Sequence, residues 1–161
     1  MNDDIRLVLL NCEYPPIGGG AATATANLIR EFEHFPVRTT LITSSADNRF
    51  HSEVLSPKCR IDYVSVGKKD LHYWTNRELV TYVLRTLKHL KQLAARKESF
   101  DLCHAFFTLP AGAVAWTKGT HMPYVLSLRG SDVPGFSGRY RRLYRTAGFA
   151  FAAIWRRAAA V

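Results

Sequence analysis

The chain has no apolar run approaching the roughly 18 residues that a membrane-spanning helix needs. Its longest candidate, Ala147 to Trp155, is too short. Cysteine is scarce: Cys12, Cys59 and Cys103 are odd in number, widely separated and without metal-ligand spacing. That excludes a disulfide framework and a zinc site, and suits reduced thiols in a cytosolic protein. The histidines are scattered with no H-x-x-x-H pair, so no metal is expected. The N-terminus carries Asp3 and Asp4 where a signal peptide would be basic. There is no G-x-x-x-x-G-K-[ST] phosphate loop and no G-x-S-x-G nucleophile elbow. Repeats, low-complexity tracts and interdomain linkers are also missing.

What is present is a globular composition of 161 residues, 47% hydrophobic and 22% charged, enough for one ordinary domain. The net charge is +9, and it is concentrated late. From Arg139 to Arg157 there are six arginines and no acidic residue. Such a segment suits an anionic lipid surface, nucleic acid or a phosphorylated substrate, and equally a solvated helix face.

Apolar patterning predicts alternating strands and helices. Ile5 to Asn11, Asp101 to Phe107 and Pro123 to Leu128 read as buried strands, and Val37 to Thr43 is β-branched. Ile61 to Val66 alternates as a half-exposed strand does, and the polar stretch Ser44 to Pro57 reads as a loop. Helices are expected over Ala21 to Glu33, from a Thr75-Asn76-Arg77-Glu78 capping box onward, over Ala111 to Lys118, and over Arg139 to Ala158. Trp74 and Leu79 stand where a hydrophobic staple would flank the capping box. Ala158 to Val161 resembles the start of a further strand, which suggests a chain cut from something longer. The sum is an α/β fold, a Rossmann-like doubly wound and mostly parallel sheet.

Ligands of such sheets bind beyond the carboxyl ends of the strands. Three loops fall there. The first contains Gly18, Gly19 and Gly20 ahead of a helix, the arrangement that brings backbone N–H groups to a phosphate. Thr23 stands where a dinucleotide fingerprint needs its third glycine, and Thr43-Ser44-Ser45 replaces the acidic residue expected after strand two, which argues against a dinucleotide oxidoreductase. The second loop follows His104, either a satisfied core histidine or a neutral imidazole that accepts a proton or binds a hydroxyl. The third, Arg129 to Gly135, offers Arg129 to a phosphate; Asp132 serves either as a helix cap or as a ligand for substrate hydroxyls.

In order, the motifs are an apolar strand, E-Y-P-P-x-x-G-G-G, D-L-C-H-A-F-F-T-L-P-A-G and P-Y-V-L-S-L-R-G-S-D-V-P-G. Over nearly the whole chain this resembles the N-terminal, acceptor-side domain of the retaining glycosyltransferases of family four, which have the GT-B fold. The resemblance implies one half of a GT-B architecture spanning residues 1–161, without its donor-binding C-terminal domain. It implies transfer of a sugar from a UDP-, GDP- or ADP-sugar to a glycan or lipid-linked acceptor, with the anomeric configuration retained and no metal or other cofactor. By position, Gly18, Gly19 and Gly20 match the loop facing the donor diphosphate. His104 and Asp132 become candidate catalytic residues, and Arg129, Gly130, Ser131 and Asp132 candidate acceptor contacts. The second histidine of the family's H-A-H element is Phe106 here, and Arg129 replaces the histidine of an H-G-x-D loop.

The same resemblance implies cell-surface polysaccharide or lipopolysaccharide synthesis, in the cytoplasm or peripherally at the inner face of the membrane. There the arginines and Tyr140, Tyr144, Phe149, Phe151 and Trp155 would dock on anionic lipid. The partners implied are the acceptor, the second domain of the same protein and that membrane surface, but not nucleic acid, for which only the charge speaks. With half a cleft, the chain alone is expected to be inactive. The alternative is a non-catalytic Rossmann-like module that binds a nucleotide or nucleic acid.

Overall fold

A computed structural model describes residues 4–118, 122–130, 132–133 and 141–161, with the backbone alone for 118, 141–144 and 147. Six strands form one sheet: β1 (Ile5–Leu10), β2 (Val37–Ser44), β3 (His51–Ser56), β4 (Cys59–Val64), β5 (Leu102–Phe106) and β6 (Tyr124–Ser127). Their spatial order is β3-β4-β2-β1-β5-β6. All neighbours are parallel except β3, which pairs antiparallel with β4 at the edge. The helices are α1 (Gly20–Phe32), α2 (Asn76–Ala95), α3 (Ala113–Lys118) and α4 (Arg141–Arg157). The doubly wound, mostly parallel sheet expected from the patterning is thus the observed fold.

Because both faces of a parallel sheet are covered, its central strands are apolar on both. Leu9, Leu41, Ile61 and Phe106 pack on one face against Ile29 of α1. Val8, Leu10, Ile42, Cys103, Ala105, Tyr124 and Leu126 pack on the other. There they meet Tyr82, Leu90 and Leu93 of α2, Val114 and Ala115 of α3, and Ile154 of α4. Two buried tyrosines anchor this second layer: Tyr82 donates to the Ile42 carbonyl at 2.8 Å and Tyr124 to the Ile154 carbonyl at 2.5 Å.

The capping box forms as predicted. The Thr75 hydroxyl accepts the Glu78 N–H at 3.3 Å and the Glu78 carboxylate accepts the Thr75 N–H at 2.8 Å. Trp74 and Leu79 both pack on the core beneath. Two expectations need correction. Ser44 to Pro57 is not all loop, because His51–Ser56 forms β3. Strand β4 begins two residues before Ile61, at Cys59. Past α4, Ala160 bridges in parallel to Val125, with Ala159 donating to the Tyr124 carbonyl at 2.8 Å and Leu126 to that of Ala160 at 2.9 Å. The final residues therefore make one isolated bridge beside β6, where the sequence suggested the start of a further strand.

Candidate active site

Crossovers run from β1 through α1 to β2 on one side, and β5 lies on the other side of β1. Between β1 and β5 the strand order reverses, and a crevice opens at the carboxyl edge of such a switch point. The glycine loop and the loops after β5 and β6 leave from that edge.

A buried asparagine fixes the glycine loop. Asn11 is fully buried; its side chain donates to the Thr25 hydroxyl at 2.7 Å and accepts the Glu13 N–H at 3.0 Å. This ties the strand exit to the first turns of α1. Gly18 has φ +94°, and a Cβ there would meet the Glu13 carboxylate at 2.5 Å. Only glycine fits that position. Its N–H donates to the Leu71 carbonyl at 2.8 Å, and its own carbonyl lies 3.1 Å from Nδ1 of His72, so the segment leading into α2 braces the loop.

Gly19 and Gly20 differ: a Cβ on either would point into open space. Their thinness is not required by neighbours in this chain and leaves room for something outside it. Gly19 caps α1 without a side-chain hydrogen bond of its own, and the first turn holds no acidic residue, so of the donors at the helix start the Gly19 N–H is the one met by a carboxylate, that of Glu13. Glu13 stands beside them. Burial raises its pKa, opposed by the Gly19 N–H and the Lys68 charge.

The second part of the site is built across β5 and β6. Leu9, His104 and Val125 are in register, as are Phe106 and Ser127, so these side chains share the α1 face. His104 Nε2 lies 2.8 Å from the Ser127 hydroxyl. Burial, aided by the nearby Arg129 charge, lowers the His104 pKa to about 4. The ring is therefore neutral at physiological pH, suited to hydrogen-bonding a hydroxyl and weak as a proton acceptor. The Arg129 guanidinium lies over the Phe106 ring, 4.3 Å from its centroid. The two departures from the family pattern noted in the sequence, Phe106 and Arg129, are thus one stacked pair, with His104 beside it at 5.0 Å from the Phe106 centroid.

Asp132 is 5% exposed and holds two loops together. Its carboxylate accepts the Thr108 N–H at 2.7 Å, the Thr108 hydroxyl at 3.2 Å and the Arg129 N–H at 2.8 Å. Trp155 of α4 donates to the same Thr108 hydroxyl at 2.8 Å. Gly130, at φ +81°, makes the turn that permits this. Phe107 also has positive φ, +71°, uncommon for a bulky side chain, at the point where β5 turns into Phe107–Gly112. Ser131 lies outside the described residues. Sequence reasoning missed Ser127, Thr108, Asn11 and Glu13. Their roles follow from register and loop closure, which no local motif encodes.

Among the described residues no His, Cys, Asp or Glu cluster could hold a metal ion, and all three cysteines are buried and free. No described helix is long and apolar enough to cross a membrane. On α4, Phe151 is buried and Trp155 half-buried, so neither offers its ring to a lipid surface. Tyr140 and the Tyr144 side chain lie outside the described residues.

A mostly parallel sheet with a glycine loop at its switch point is a Rossmann-like fold, and solved glycosyltransferases share it. The chain matches a sucrose-phosphate synthase from Thermosynechococcus elongatus with TM-score 0.58 and 16% identity, over 79% of this chain and 65% of that one. It matches a UDP-glucose:anthocyanidin 3-O-glucosyltransferase, solved in complex with UDP, with TM-score 0.53 and 14% identity, over 80% of this chain and 30% of that one. It therefore spans less than two thirds of either structure. The family model described as "Glycosyl transferase 4-like domain" matches residues 19–161, and the chain belongs to that family. No functionally curated protein matches the sequence significantly.

Proposed function

We propose that this chain is the acceptor-binding half of a retaining hexosyltransferase that moves a sugar from a UDP-, GDP- or ADP-sugar to an acceptor carrying a negative charge. The observation that carries the reading is the Arg129 guanidinium stacked on Phe106 beside His104, at the carboxyl edge of the sheet. A guanidinium held by a ring keeps its N–H fork free for a phosphate or carboxylate, and an adjacent neutral imidazole can orient a hydroxyl. Gly19 and Gly20 let the donor diphosphate approach the start of α1 from a second domain, which holds the nucleotide. The acceptor oxygen then attacks the anomeric carbon on the face that the diphosphate leaves. The C–O bond to phosphate breaks, and the acceptor proton passes to the departing phosphate oxygen, since His104 is too weak a base to take it. Asp132 acts as a positioning residue, holding the Arg129 loop against Thr108.

Residues 1–161 alone supply one jaw of this cleft, so they bind acceptor but do not transfer sugar. The acceptor is a glycan or lipid-linked sugar of cell-surface polysaccharide or lipopolysaccharide synthesis. Arg145, Phe149 and Arg156 are exposed at helical spacing on one side of α4, and they are the residues that would meet an anionic inner membrane surface. Arg129→Ala in the two-domain enzyme should raise the KM for a charged acceptor roughly tenfold or more, with little effect on the KM for donor. An unchanged acceptor KM would reject the reading.

A further inference from the structure

A second cleft, of about 290 Å³, lies on the flank of the sheet between the later half of α2 and the end of β4. Its walls include Arg85, Lys88, Gln92 and Arg96 from α2, with Phe50 opposite and His89 at its base. No acidic side chain lines it. Among the described residues, none of its three cationic side chains has a carboxylate partner, unlike Arg6, Arg38, Arg60 and Lys68 elsewhere.

At the base, His89 Nε2 lies 2.7 Å from Asp62. Burial opposes the charge on Asp62, but the hydrogen bond from His89 and the Arg60 guanidinium 3.2 Å away hold its pKa below the ordinary value. An anionic acceptor makes Nε2 the donor nitrogen. That leaves Nδ1 buried with no partner, on a side chain only 7% exposed. Nδ1 is then the ring's acceptor, and a buried acceptor without a partner is costly unless a donor arrives; a ligand hydroxyl, not a phosphate oxygen, would satisfy it. The Phe50 ring packs on His89, 5.1 Å between centroids, and gives the cleft an apolar wall.

We propose that this cleft binds a small phosphorylated metabolite, its phosphate among Arg85, Lys88 and Arg96 and its body against Phe50. Three exposed cations lining one cleft, with no acidic side chain among its walls, suit the oxygens of a phosphomonoester, and Gln92 offers a neutral donor beside them. The volume stands near the lower limit for ligand pockets, which suits a sugar phosphate rather than a nucleotide sugar. The cleft is lined by none of the residues of the proposed transfer site, so it is a separate binding position.

The test is a titration of residues 1–161 followed by amide NMR, with glucose 6-phosphate, glucose and inorganic phosphate as probes and phosphatidic acid vesicles as a further arm. Glucose 6-phosphate should give saturable shifts at Phe50, His89 and Gln92, glucose should give none, and inorganic phosphate should bind more weakly. The triple variant R85Q/K88Q/R96Q should weaken glucose 6-phosphate roughly tenfold or more. A variant of equal charge at exposed sites away from the cleft, R30Q/K69Q/R77Q, should leave it unchanged. Phe50→Ala, a change at an exposed side chain, should remove the preference for glucose 6-phosphate over phosphate. No saturable shift with glucose 6-phosphate would overturn the proposal, as would equal loss in both triple variants. Binding only to the vesicles would assign the cations to a lipid headgroup and would also overturn it.

Discussion

At the scale of single residues, the three consecutive glycines do different work. Gly18 is dictated by the fold, through its positive φ and the Glu13 side chain against it. Gly19 and Gly20 have open space where a Cβ would stand. Gly18→Ala should therefore lower stability by about 1–3 kcal/mol. Gly19→Ala and Gly20→Ala should change it by no more than about 1 kcal/mol, in the stabilising direction if helix propensity dominates at Gly20. Urea unfolding of the three variants checks this ordering. His104 supports a pH prediction of definite sign. Its folded pKa of about 4 lies below its ordinary value. As pH falls, the unfolded chain takes up the proton first, so stability drops from about pH 6.5 toward pH 4 and levels below that. His104→Asn should remove this part of the slope, and an NMR titration placing the His104 midpoint near 6.5 would contradict the burial that causes it.

Among the elements, α2 carries the most consequential join. Its capping glutamate, Glu78, also lies 3.6 Å from Lys68 Nζ; these two side chains are 6% and 1% exposed. Lys68 Nζ further donates to the Tyr73 carbonyl and sits 3.9 Å from the Trp74 ring centroid. Thr75→Ala removes one cap and should cost about 1 kcal/mol. Glu78→Ala strands a buried ammonium as well and should cost about 3–5 kcal/mol. Near-equal losses in thermal melts would mean that Lys68 finds another partner. The capping box and the staple were legible because their chemistry is local. Lys68 was not, because its partners come from Tyr73, Trp74 and Glu78, which meet only once the chain has turned into α2. Strand β3 was illegible for a different reason. Five of its six residues are exposed, so His51–Ser56 lacks the apolar alternation that marks a strand; pairing with β4 holds it, together with the Ser56 hydroxyl donating to Glu33 at the end of α1. Arg60 hid the start of β4 in the same way, being a charged residue in a strand whose partners, Asp62 and Glu98, are assembled by the fold.

Across the whole molecule, the mostly parallel, doubly wound sheet followed from the alternation of apolar runs with helices, while the order of its strands and the switch point between β1 and β5 came only with the fold. The site was legible in its loops but not in its contacts. Phe106 and Arg129 read in the sequence as two separate departures from a family pattern, and the parallel register of β5 and β6 makes them one stacked feature. Asp132 read as a cap or a substrate ligand, and tertiary closure gives its oxygens partners in Thr108 and Arg129 that no local motif encodes. The same geometry leaves the glycine edge of the cleft facing outward, and the proposed function requires a second domain to face it. The most direct measurement is sugar transfer from UDP-, GDP- and ADP-sugars, run side by side for residues 1–161 and for the same chain extended by a donor-binding domain, with the product anomer determined. Transfer with retained configuration by the extended protein, and none by residues 1–161, is the predicted result. Transfer by residues 1–161 alone would contradict the division of the site between two domains.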